Sequence, residues 1–258
     1  MTATARILGI SGLAGSGKDQ VATFLGQDLA FTSVSLADPL KRIARDVYDF
    51  TDDQLWGPSA SRNAPDTRYP RPHSIRKTET VWEACACCGW DPEKQLRDGS
   101  EPPQCYLTPR YALQLLGTEW GRECYPDTWA AMCVRTAKKL LGDHELRYDR
   151  KRGVHSVPDT RDWAEADRQE EERVLAVSVP DVRFKNEMRI IREAGGKLLR
   201  VRRPGAGLKG ATGLHPSEAE QASIPDEEFD AVIENTGTLE ELRRNAFNKA
   251  LSFAMGKR

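Results

Sequence analysis

Residues 12–18 read Gly-Leu-Ala-Gly-Ser-Gly-Lys, the composition of a loop that binds a polyphosphate. An apolar run at 7–10 precedes them and a helical pattern at 19–29 follows, so the order is strand, glycine-rich turn, helix. Such a loop points successive backbone N–H groups at one anion, and the helix N-terminus adds its positive end. The alternative is a turn that binds nothing. We expect phosphate contacts from Gly12, Ala14, Gly15, Ser16, Gly17, Lys18, Asp19 and Gln20, with Lys18 reaching the outer phosphates.

Two carboxylates are candidates to hold magnesium near this loop. A Ser or Thr usually follows the lysine and binds the ion, but here Asp19 follows, and a carboxylate is also a good oxygen ligand. Asp181 and Arg183 come directly after the apolar run 174–179, which predicts a central strand. We expect Asp181 to reach the magnesium through water and Arg183 to bridge two phosphates. The alternative is an ion pair between these two side chains that holds their own loop.

The composition limits the function classes. The chain has 258 residues, of which 39% are hydrophobic and 30% are charged, which is typical of a globular enzyme with one large domain or two small ones. A net charge of −1 gives no basic field of the kind that drives nonspecific binding of nucleic acid. No run approaches the length of a membrane span, and the first residues lack a signal segment. We therefore expect a cytoplasmic protein without a nucleic-acid or membrane partner.

Strand and helix patterns alternate along most of the chain, which predicts an α/β fold with a doubly wound parallel sheet. Ligands of such sheets bind at the carboxyl ends of the strands. The predicted strands are followed by loops at 12–18, 37–41, 180–186, 203–217 and 235–237, which can therefore line one crevice. Thr51 and Thr108 are predicted helix caps, the latter followed by a proline. The helix after Thr108 is predicted to run from 110 to 122 and to bury Leu113, Leu116 and Trp120.

Several motifs together resemble one known family, the phage-type deoxynucleoside monophosphate kinases. They are residues 12–19, Ala37-Asp38-Pro39-Leu40-Lys41, Arg62-Asn63 with Asp66 and 68–71, 107–110 with 114–119, 181–184 with Asn186-Glu187, and His215 with Ser217-Glu218. The loop alone is shared by very many nucleotide enzymes, whereas the combination is much more specific. The resemblance implies transfer of the γ-phosphoryl group of ATP to a deoxynucleoside 5′-monophosphate (dNMP), with magnesium as the cofactor of ATP. It also implies a P-loop fold similar to that of adenylate kinase, with a core, a monophosphate-binding part and a lid.

On this basis we divide the single kinase domain into regions. The core comprises 1–37, 174–202 and 226–258, and the lid comprises 203–225. The monophosphate-binding region is 38–142, with an inserted subdomain at 73–106. Residues 143–172 are highly charged and nearly free of large aliphatic side chains, which predicts an exposed excursion.

The resemblance also suggests which side chains meet the two nucleotides. For the dNMP they are Asp38, Lys41, Arg42, Arg68, Arg110, Gln114 and Trp120, with Arg71 as a further candidate for the phosphate. The alternatives are an N-cap role for Asp38, surface positions for the arginines, a polar rim for Gln114 and core packing for Trp120. Asn235 and Gly237 resemble the last loop that touches the ATP base, or they form a turn before a helix cap. Arg203 is the lid arginine expected to arrive on closure, ahead of Arg202.

Six cysteines are present, and three of them suggest a metal site in the inserted subdomain. Cys85 and Cys88 have the Cys-x-x-Cys spacing, and Cys105 follows across a Gly/Pro-rich stretch. These three could ligate a structural zinc ion, with His73 or Cys87 as the fourth ligand. A second paired knuckle is absent from the sequence, and free thiols are the alternative.

Two other functions remain open at this stage. One is a P-loop kinase of another small acceptor, similar to dephospho-coenzyme A, which predicts neither the motif at 62–71 nor the one at 108–122. The other is a nucleotide-binding switch that hydrolyses ATP slowly, which predicts a basic patch or a partner helix. The expected partners are ATP and a dNMP, and a homodimer is compatible with the sequence.

Overall fold

The computed structural model describes residues 6–75, 84–85, 87–99, 101–142, 148–149, 153–154, 176–207 and 216–254. Within this part of the chain, two compact units are present. One comprises residues 1–38 and 125–258, and the other comprises residues 39–124. None of the described helices is both long enough and apolar enough to cross a lipid bilayer.

The first unit, called here the main unit, is built on a five-stranded parallel sheet. Its strands are β1 (Ile7–Ser11), β2 (Phe31–Ser33), β7 (Ala176–Pro180), β8 (Lys197–Arg202) and β9 (Ala231–Glu234). Their order is β2-β7-β1-β8-β9, and every adjacent pair is parallel. The first strand therefore lies at the centre, between β7 and β8, and the loop that follows it opens at the middle of the sheet edge.

Helices cover both faces of this sheet. Side chains on successive strand residues point to opposite faces, so Ile7 packs in one core cluster and Leu8 in the other. Helices α1 (Lys18–Leu29) and α10 (Leu239–Ala254) cover the face of Leu8, whereas α7 (Thr128–Gly142) and α8 (Lys185–Glu193) cover the face of Ile7. This three-layer arrangement confirms the predicted doubly wound α/β fold.

The second unit contains short helices and one antiparallel strand pair. The helices are α2 (Asp38–Tyr48), which starts at the unit boundary, α3 (Asp52–Trp56), α4 (Ser59–Asn63), α5 (Pro92–Asp98) and α6 (Pro109–Gln114). Strands β3 (Asp66–Arg71) and β4 (Cys105–Leu107) pair antiparallel. Its core cluster is small and consists of Ala44, Phe50, Leu55 and Ala112, with partly buried aromatic and aliphatic side chains around them.

The predicted region 38–142 is longer than this second unit. Helix α7 belongs to the main unit, because its side chains Cys133, Val134, Ala137 and Leu140 pack in the core cluster on the Ile7 face. The predicted excursion at 143–172 lies outside the described residues, apart from the pair β5 (Tyr148–Asp149) and β6 (Gly153–Val154). Of the predicted lid, 208–215 lies outside them as well, including His215. Its later part is helix α9 (Pro216–Ser223), and a 3-10 turn (Asp226–Glu228) follows the lid.

The helix predicted at 110–122 is wrong in its second half. An α-helix ends at Gln114 and a π-helical segment continues from Leu115 to Arg122. Because π-helical hydrogen bonds span five residues instead of four, positions after Leu115 are rotated about the axis. Trp120, predicted to share the buried face of Leu113 and Leu116, is consequently 54% exposed. The caps at Thr51 and Thr108 are confirmed, since each hydroxyl accepts a backbone N–H from the first turn.

The end of the predicted lid is held in the main unit by a buried arginine on β8. Arg200 donates to the backbone carbonyls of Ile224 (2.5 Å) and Gln221 (3.3 Å), and it forms an ion pair with Asp226 at 3.0 Å. Its guanidinium also lies over the ring of Phe229, 5.1 Å from the centroid. This cation therefore fixes the chain from 221 to 229 against the strand.

We expect Arg200→Met to lower the thermal unfolding midpoint by about 5 to 10 °C. The change leaves two buried carbonyls without their donor and removes one of the two arginines that pair with Asp226, which costs about 2–3 kcal/mol. Arg189→Met is the matched control, because Arg189 is half exposed and its ion pairs contribute less than about 1 kcal/mol. Equal midpoints for the two variants in a differential scanning measurement would contradict the anchoring role.

Candidate phosphate-binding site

The loop at 12–18 is shaped by close backbone packing. The N–H of Ser16 donates to the carbonyl of Leu13 at 3.0 Å, which closes the turn. Gly12 has a φ of +155°, and a Cβ there would lie 2.5 Å from both the Ser16 Oγ and the Val201 carbonyl oxygen. The Ser16 Oγ is itself buried and has no hydrogen-bond partner among the described residues. A buried polar atom without a partner suits a loop that receives a polar ligand.

Lys18 and Arg183 share one carboxylate at the carboxyl edge of the sheet. The Lys18 side chain is only 7% exposed, and its Nζ lies 3.4 Å from the Asp181 Oδ1. The other oxygen of Asp181 lies 2.9 Å from the Arg183 Nη2. The predicted alternative, an ion pair between Asp181 and Arg183, is therefore present. The same carboxylate also holds the lysine of the loop, and the roles predicted for Asp181 and Arg183 at magnesium and phosphate stay predictions.

The position of Asp181 depends on an unusual backbone conformation. It follows the last residue of β7 with a φ of +65°, a left-handed value that non-glycine residues rarely adopt. The buried Glu187 fixes the chain just beyond, since its carboxylate accepts the N–H groups of Arg183 (2.8 Å) and Phe184 (3.1 Å). Left-handed backbone at a functional edge, held by surrounding bonds, is typical of a site where geometry matters more than local stability.

The residues present fit a hydrated magnesium ion at this edge. The Asp181 Oδ1 is buried and within ion-pair distance of Lys18, yet it accepts no hydrogen bond from the described residues. It therefore keeps lone pairs for water or metal. The carboxylate of Asp19 lies in the first turn of α1 and is exposed. Magnesium binds through one or two carboxylates and keeps several waters, which these two side chains can support.

A cavity of about 260 Å³ adjoins the loop in the main unit. Its lining contains two consecutive arginines that differ in their partners. Arg202 pairs with Asp226 and, at 2.6 Å, with Glu234, whereas Arg203 is exposed and has no carboxylate partner within the described part of the chain. The free charge is therefore on Arg203, the arginine favoured by the sequence. The lining residues are Leu13, Ser16, Arg200, Val201, Arg202, Arg203, Pro204, Ala206 and Glu234.

Asn235 contacts the loop itself. Its Nδ2 donates to the Ser16 carbonyl at 2.8 Å, and a Cβ on Gly17 would lie 2.7 Å from the same nitrogen. The predicted role at the ATP base stays a prediction, but the contact that the structure places here is with the backbone of the phosphate loop. Gly237, two residues on, is exposed. This bond could not be predicted from the sequence, because it joins residues 219 positions apart.

Gln221 is a second contributor that the sequence did not reveal. It is 1% exposed, and its amide nitrogen Nε2 donates to the Ser11 Oγ at 3.0 Å and to the Val182 carbonyl at 3.2 Å. This side chain therefore joins the end of β1 to the loop after β7, the two segments that carry Lys18 and Asp181. Nothing in the composition of the Gln221 segment distinguishes it from an exposed polar helix.

The side chains predicted to contact the dNMP differ in burial and in their partners. Asp38 is fully buried and is the first residue of α2, so the predicted N-cap position is shifted by one; its carboxylate accepts the Ser35 N–H at 3.4 Å. In the second unit, the Lys41 ammonium lies 5.4 Å from the centre of the Trp56 ring. The Arg42 Nη1 is buried without a hydrogen-bond partner among the described residues. The exposed members of the set are Arg110, Gln114 and Trp120.

Arg68 has a clear structural partner. It forms a two-pronged pair with the buried Asp66, with Nε to Oδ1 at 3.0 Å and Nη2 to Oδ2 at 2.7 Å. This pair holds the pKa of the Asp66 carboxyl well below its usual range. Arg71 contacts Cys87 (2.8 Å) and stacks on Tyr111, 4.2 Å from the ring centroid. Phosphate binding by Arg68 remains a prediction; in the structure its guanidinium donates to Asp66.

The predicted cysteine group is brought together in the second unit. His73, Cys85, Cys88 and Cys105 each offer a ligand atom, and these four atoms all lie within 4.8 Å of one another. Burial raises the pKa of the Cys85 thiol, but backbone N–H groups of Cys88 and Cys87 outweigh it and lower the pKa to about 6. Burial raises the pKa of Cys105 to about 12. Cys87, the other candidate for the fourth position, contacts Arg71 instead.

Comparison with known proteins supports the resemblance drawn from the motifs. The chain is 28% identical over 235 residues to the "Putative deoxynucleotide monophosphate kinase" of Acanthamoeba polyphaga mimivirus, a match that covers 91% of each protein. This alignment confirms the resemblance to deoxynucleotide monophosphate kinases. No protein-family model matches the chain.

Two solved kinase structures match the chain more loosely. One is an unliganded sugar kinase from a Janibacter species, 14% identical, with 98% of this chain and 97% of that one covered and a TM-score of 0.39. The other is the dephospho-CoA kinase of Campylobacter jejuni, also 14% identical, with 98% and 100% covered and a TM-score of 0.39. The fold assigned here rests on the strand order and the helix layers themselves.

Two glycines of the loop form a matched pair for testing its geometry. We expect Gly12→Ala to lower the thermal unfolding midpoint by at least about 5 °C, because its Cβ would meet a backbone carbonyl that cannot rotate away. Gly15→Ala should lower it by only about 2 to 4 °C, since Gly15 has a φ of +78° but open space around its Cβ position. A larger effect at Gly15 would show that the loop is not packed as described.

Proposed function

We propose that the protein transfers the γ-phosphoryl group of ATP to the phosphate of a deoxynucleoside 5′-monophosphate, giving ADP and the diphosphate. The observation that carries this proposal is the meeting of Lys18, Asp181 and Arg183 beside a glycine-rich loop at the carboxyl edge of a parallel sheet. The acceptor class rests on the mimivirus relative and on the motifs shared with phage-type enzymes. In the reaction, the bond from the γ-phosphorus to the β–γ bridging oxygen breaks. An oxygen of the acceptor phosphate forms the new bond to the γ-phosphorus.

Phosphoryl transfer of this kind does not require a covalent bond between the protein and the transferred group. An acceptor phosphate is already an anionic nucleophile, so the protein must align two anions, neutralise charge and exclude water. Loop N–H groups and the N-terminus of α1 suit the donor phosphates. Lys18 would place its charge on the outer phosphates, and Arg183, held by the same carboxylate, would lie where donor and acceptor phosphates meet. No general base is required.

Magnesium would be held by Asp181 and Asp19, directly or through water. The chemistry that a magnesium ion held there would supply is neutralisation of the negative charge of the transferred phosphoryl group. The support in this chain is the Asp181 Oδ1, which is buried and accepts no hydrogen bond among the described residues, and the exposed carboxylate of Asp19. Asp19 replaces the hydroxyl residue usual at this point of the loop, and its longer side chain suits a water-mediated contact.

The cavity beside the loop is the proposed site of the nucleoside part of ATP. It lies between the phosphate loop, the end of β8 and the first residues of the predicted lid. Arg203 would contribute its charge to the donor phosphates once ATP is bound. Arg202, paired with two carboxylates, instead stabilises the cavity wall.

The test of this function is ADP release measured with a panel of acceptors. We expect one or more dNMPs to raise the rate of ADP release at least about 100-fold above the rate with ATP and magnesium alone, as positioning of a second substrate should. Ribonucleoside monophosphates and dephospho-coenzyme A complete the panel. Stimulation by dephospho-coenzyme A but by no dNMP would identify the other kinase class, and stimulation by DNA would support a switch.

Lys18→Ala is the control for the chemistry in that assay. We expect a folded protein with a wild-type unfolding midpoint to within a few degrees and with turnover reduced about 1,000-fold or more. Wild-type turnover in this variant would overturn the assignment of the donor site, whatever the acceptor.

Arg203 and Arg202 provide a second matched pair. We expect Arg203→Ala to lower kcat about 100-fold with little change in the unfolding midpoint, because its guanidinium has no carboxylate partner in the described chain. Arg202→Ala should keep kcat within about tenfold, because its guanidinium is already paired with Glu234 and Asp226, and should lower the midpoint by at most a few degrees. The reverse pattern would mean that the two side chains exchange roles when ATP binds.

A further inference from the structure

We propose that His73, Cys85, Cys88 and Cys105 bind one zinc ion that holds the second unit together. This inference does not depend on the proposed kinase activity. Four ligand atoms of the types that zinc prefers lie within 4.8 Å of one another, although they come from three separate stretches of chain. Three sulfurs and one imidazole nitrogen make a complete structural set, with no position left for water or a substrate. The ion is therefore structural and not catalytic.

Two of the six distances between the four ligand atoms can be compared directly with a tetrahedral zinc site. At a Zn–S distance of about 2.3 Å, two sulfurs on one tetrahedron are about 3.8 Å apart. The Sγ atoms of Cys85 and Cys105 are 3.8 Å apart. For a sulfur and a ring nitrogen the tetrahedral spacing is about 3.6 Å, and the Cys88 Sγ lies 3.4 Å from the His73 Nδ1. Both edges therefore have the length that one central zinc ion would impose.

The second nitrogen of His73 fixes which atom faces the sulfurs. Its Nε2 lies 2.9 Å from the Pro103 carbonyl oxygen, which can only accept, so the ring proton belongs on Nε2. The Nδ1 then carries the lone pair and points at Cys88. Histidines that bind zinc in proteins commonly donate their other N–H to a carbonyl in this way. The ring also packs on Trp90 at a centroid distance of 4.4 Å, which holds its orientation.

The surroundings of Cys85 also suit a metal-bound thiolate. The Ser74 N–H lies 3.3 Å from its Sγ, and the local turn is closed by a bond from the Gly89 N–H to the Cys85 carbonyl at 2.7 Å. Of these two N–H groups, that of Ser74 faces the sulfur and stabilises negative charge on it. Cys85 and Cys105 are both buried, with their sulfurs 3.8 Å apart, and a shared metal ion accounts for this close approach.

The site joins three stretches of the second unit that are separated in sequence. His73 lies two residues beyond β3, Cys105 is the first residue of β4, and the Cys85-x-x-Cys88 turn lies between these strands in sequence. The two strands pair over few residues, with a register shift between Asp66 and Pro70. A zinc ion would close this strand pair at the end where Arg71 pairs with Cys105.

The test is the metal content of the full-length protein purified under reducing conditions. We expect elemental analysis to find about one zinc per chain, released only by a strong chelator or by modification of thiols. Replacement of zinc by cobalt should give the visible absorption of tetrahedral thiolate ligation. Less than about a tenth of a zinc per chain after growth with added zinc would overturn the proposal, as would a disulfide between Cys85 and Cys105 or a different bound metal.

Matched variants distinguish the proposed zinc ligands from cysteines outside the ligand set. Cys105→Ser and His73→Ala should each lower the zinc content at least about tenfold, whereas Cys87→Ser and Cys124→Ser should keep it. His73→Cys should also keep it, since four thiolates bind zinc well. If the ligand variants fail to fold, chelation of the wild-type protein must lower its unfolding midpoint. Full zinc in Cys105→Ser, its loss in Cys87→Ser, or a chelator without effect would each refute this ligand set.

Discussion

The carboxyl edge of the sheet, where the phosphate loop lies, depends on the carboxylate of Asp181, which compensates the positive charges of Lys18 and Arg183. Lys18 is almost fully buried, and a buried ammonium is tolerated only when an anion lies close to it. Asp181 supplies that anion and holds Arg183 with its other oxygen. The pairing is possible because β7 is the neighbour of β1 in the sheet, so the residues that follow the two strands meet at one edge. Strand order thus determines which charges can approach the phosphate loop.

Several locally unfavourable features occur together at this edge of the sheet. Asp181 has left-handed backbone, and the Ser16 hydroxyl and the Asp181 Oδ1 are buried without hydrogen-bond partners among the described residues. Each such feature costs about 1–3 kcal/mol. The apolar strands and the two helical layers behind them supply the stability that offsets this cost. A phosphate and its magnesium would satisfy the same polar atoms, which is why we interpret the strain as preparation for a ligand.

The sequence predicted the fold better than the contacts of the site. Apolar strands alternating with helices sufficed for the parallel sheet, and the caps at Thr51 and Thr108 follow from local hydrogen-bond chemistry. The proximity of Lys18 and Asp181 could be predicted because both follow strands. Other contacts could not be predicted. Asn235 with Ser16 and Gln221 with Ser11 join residues 219 and 210 positions apart, without a local signal. The pair of Arg68 with Asp66 is local, but residue types alone do not distinguish it from an exposed arginine that is available to a phosphate. The π-helical segment was missed because periodicity analysis assumes a uniform 3.6-residue turn.

The second unit has a much smaller apolar core than the main unit, so other interactions must contribute to its stability. Its core cluster has four fully buried apolar residues, whereas each core cluster of the main unit has twelve or more. A small apolar core stabilises a compact unit only marginally, and small units commonly add a metal or disulfides. The Asp66–Arg68 pair and the stacking of Arg71 on Tyr111 add polar support around β3. At the turn that contains Cys85, the Arg71 guanidinium contacts the Cys87 sulfur at 2.8 Å. A metal–thiolate cluster would add a stronger constraint there, because it joins three separate stretches of chain at one ion.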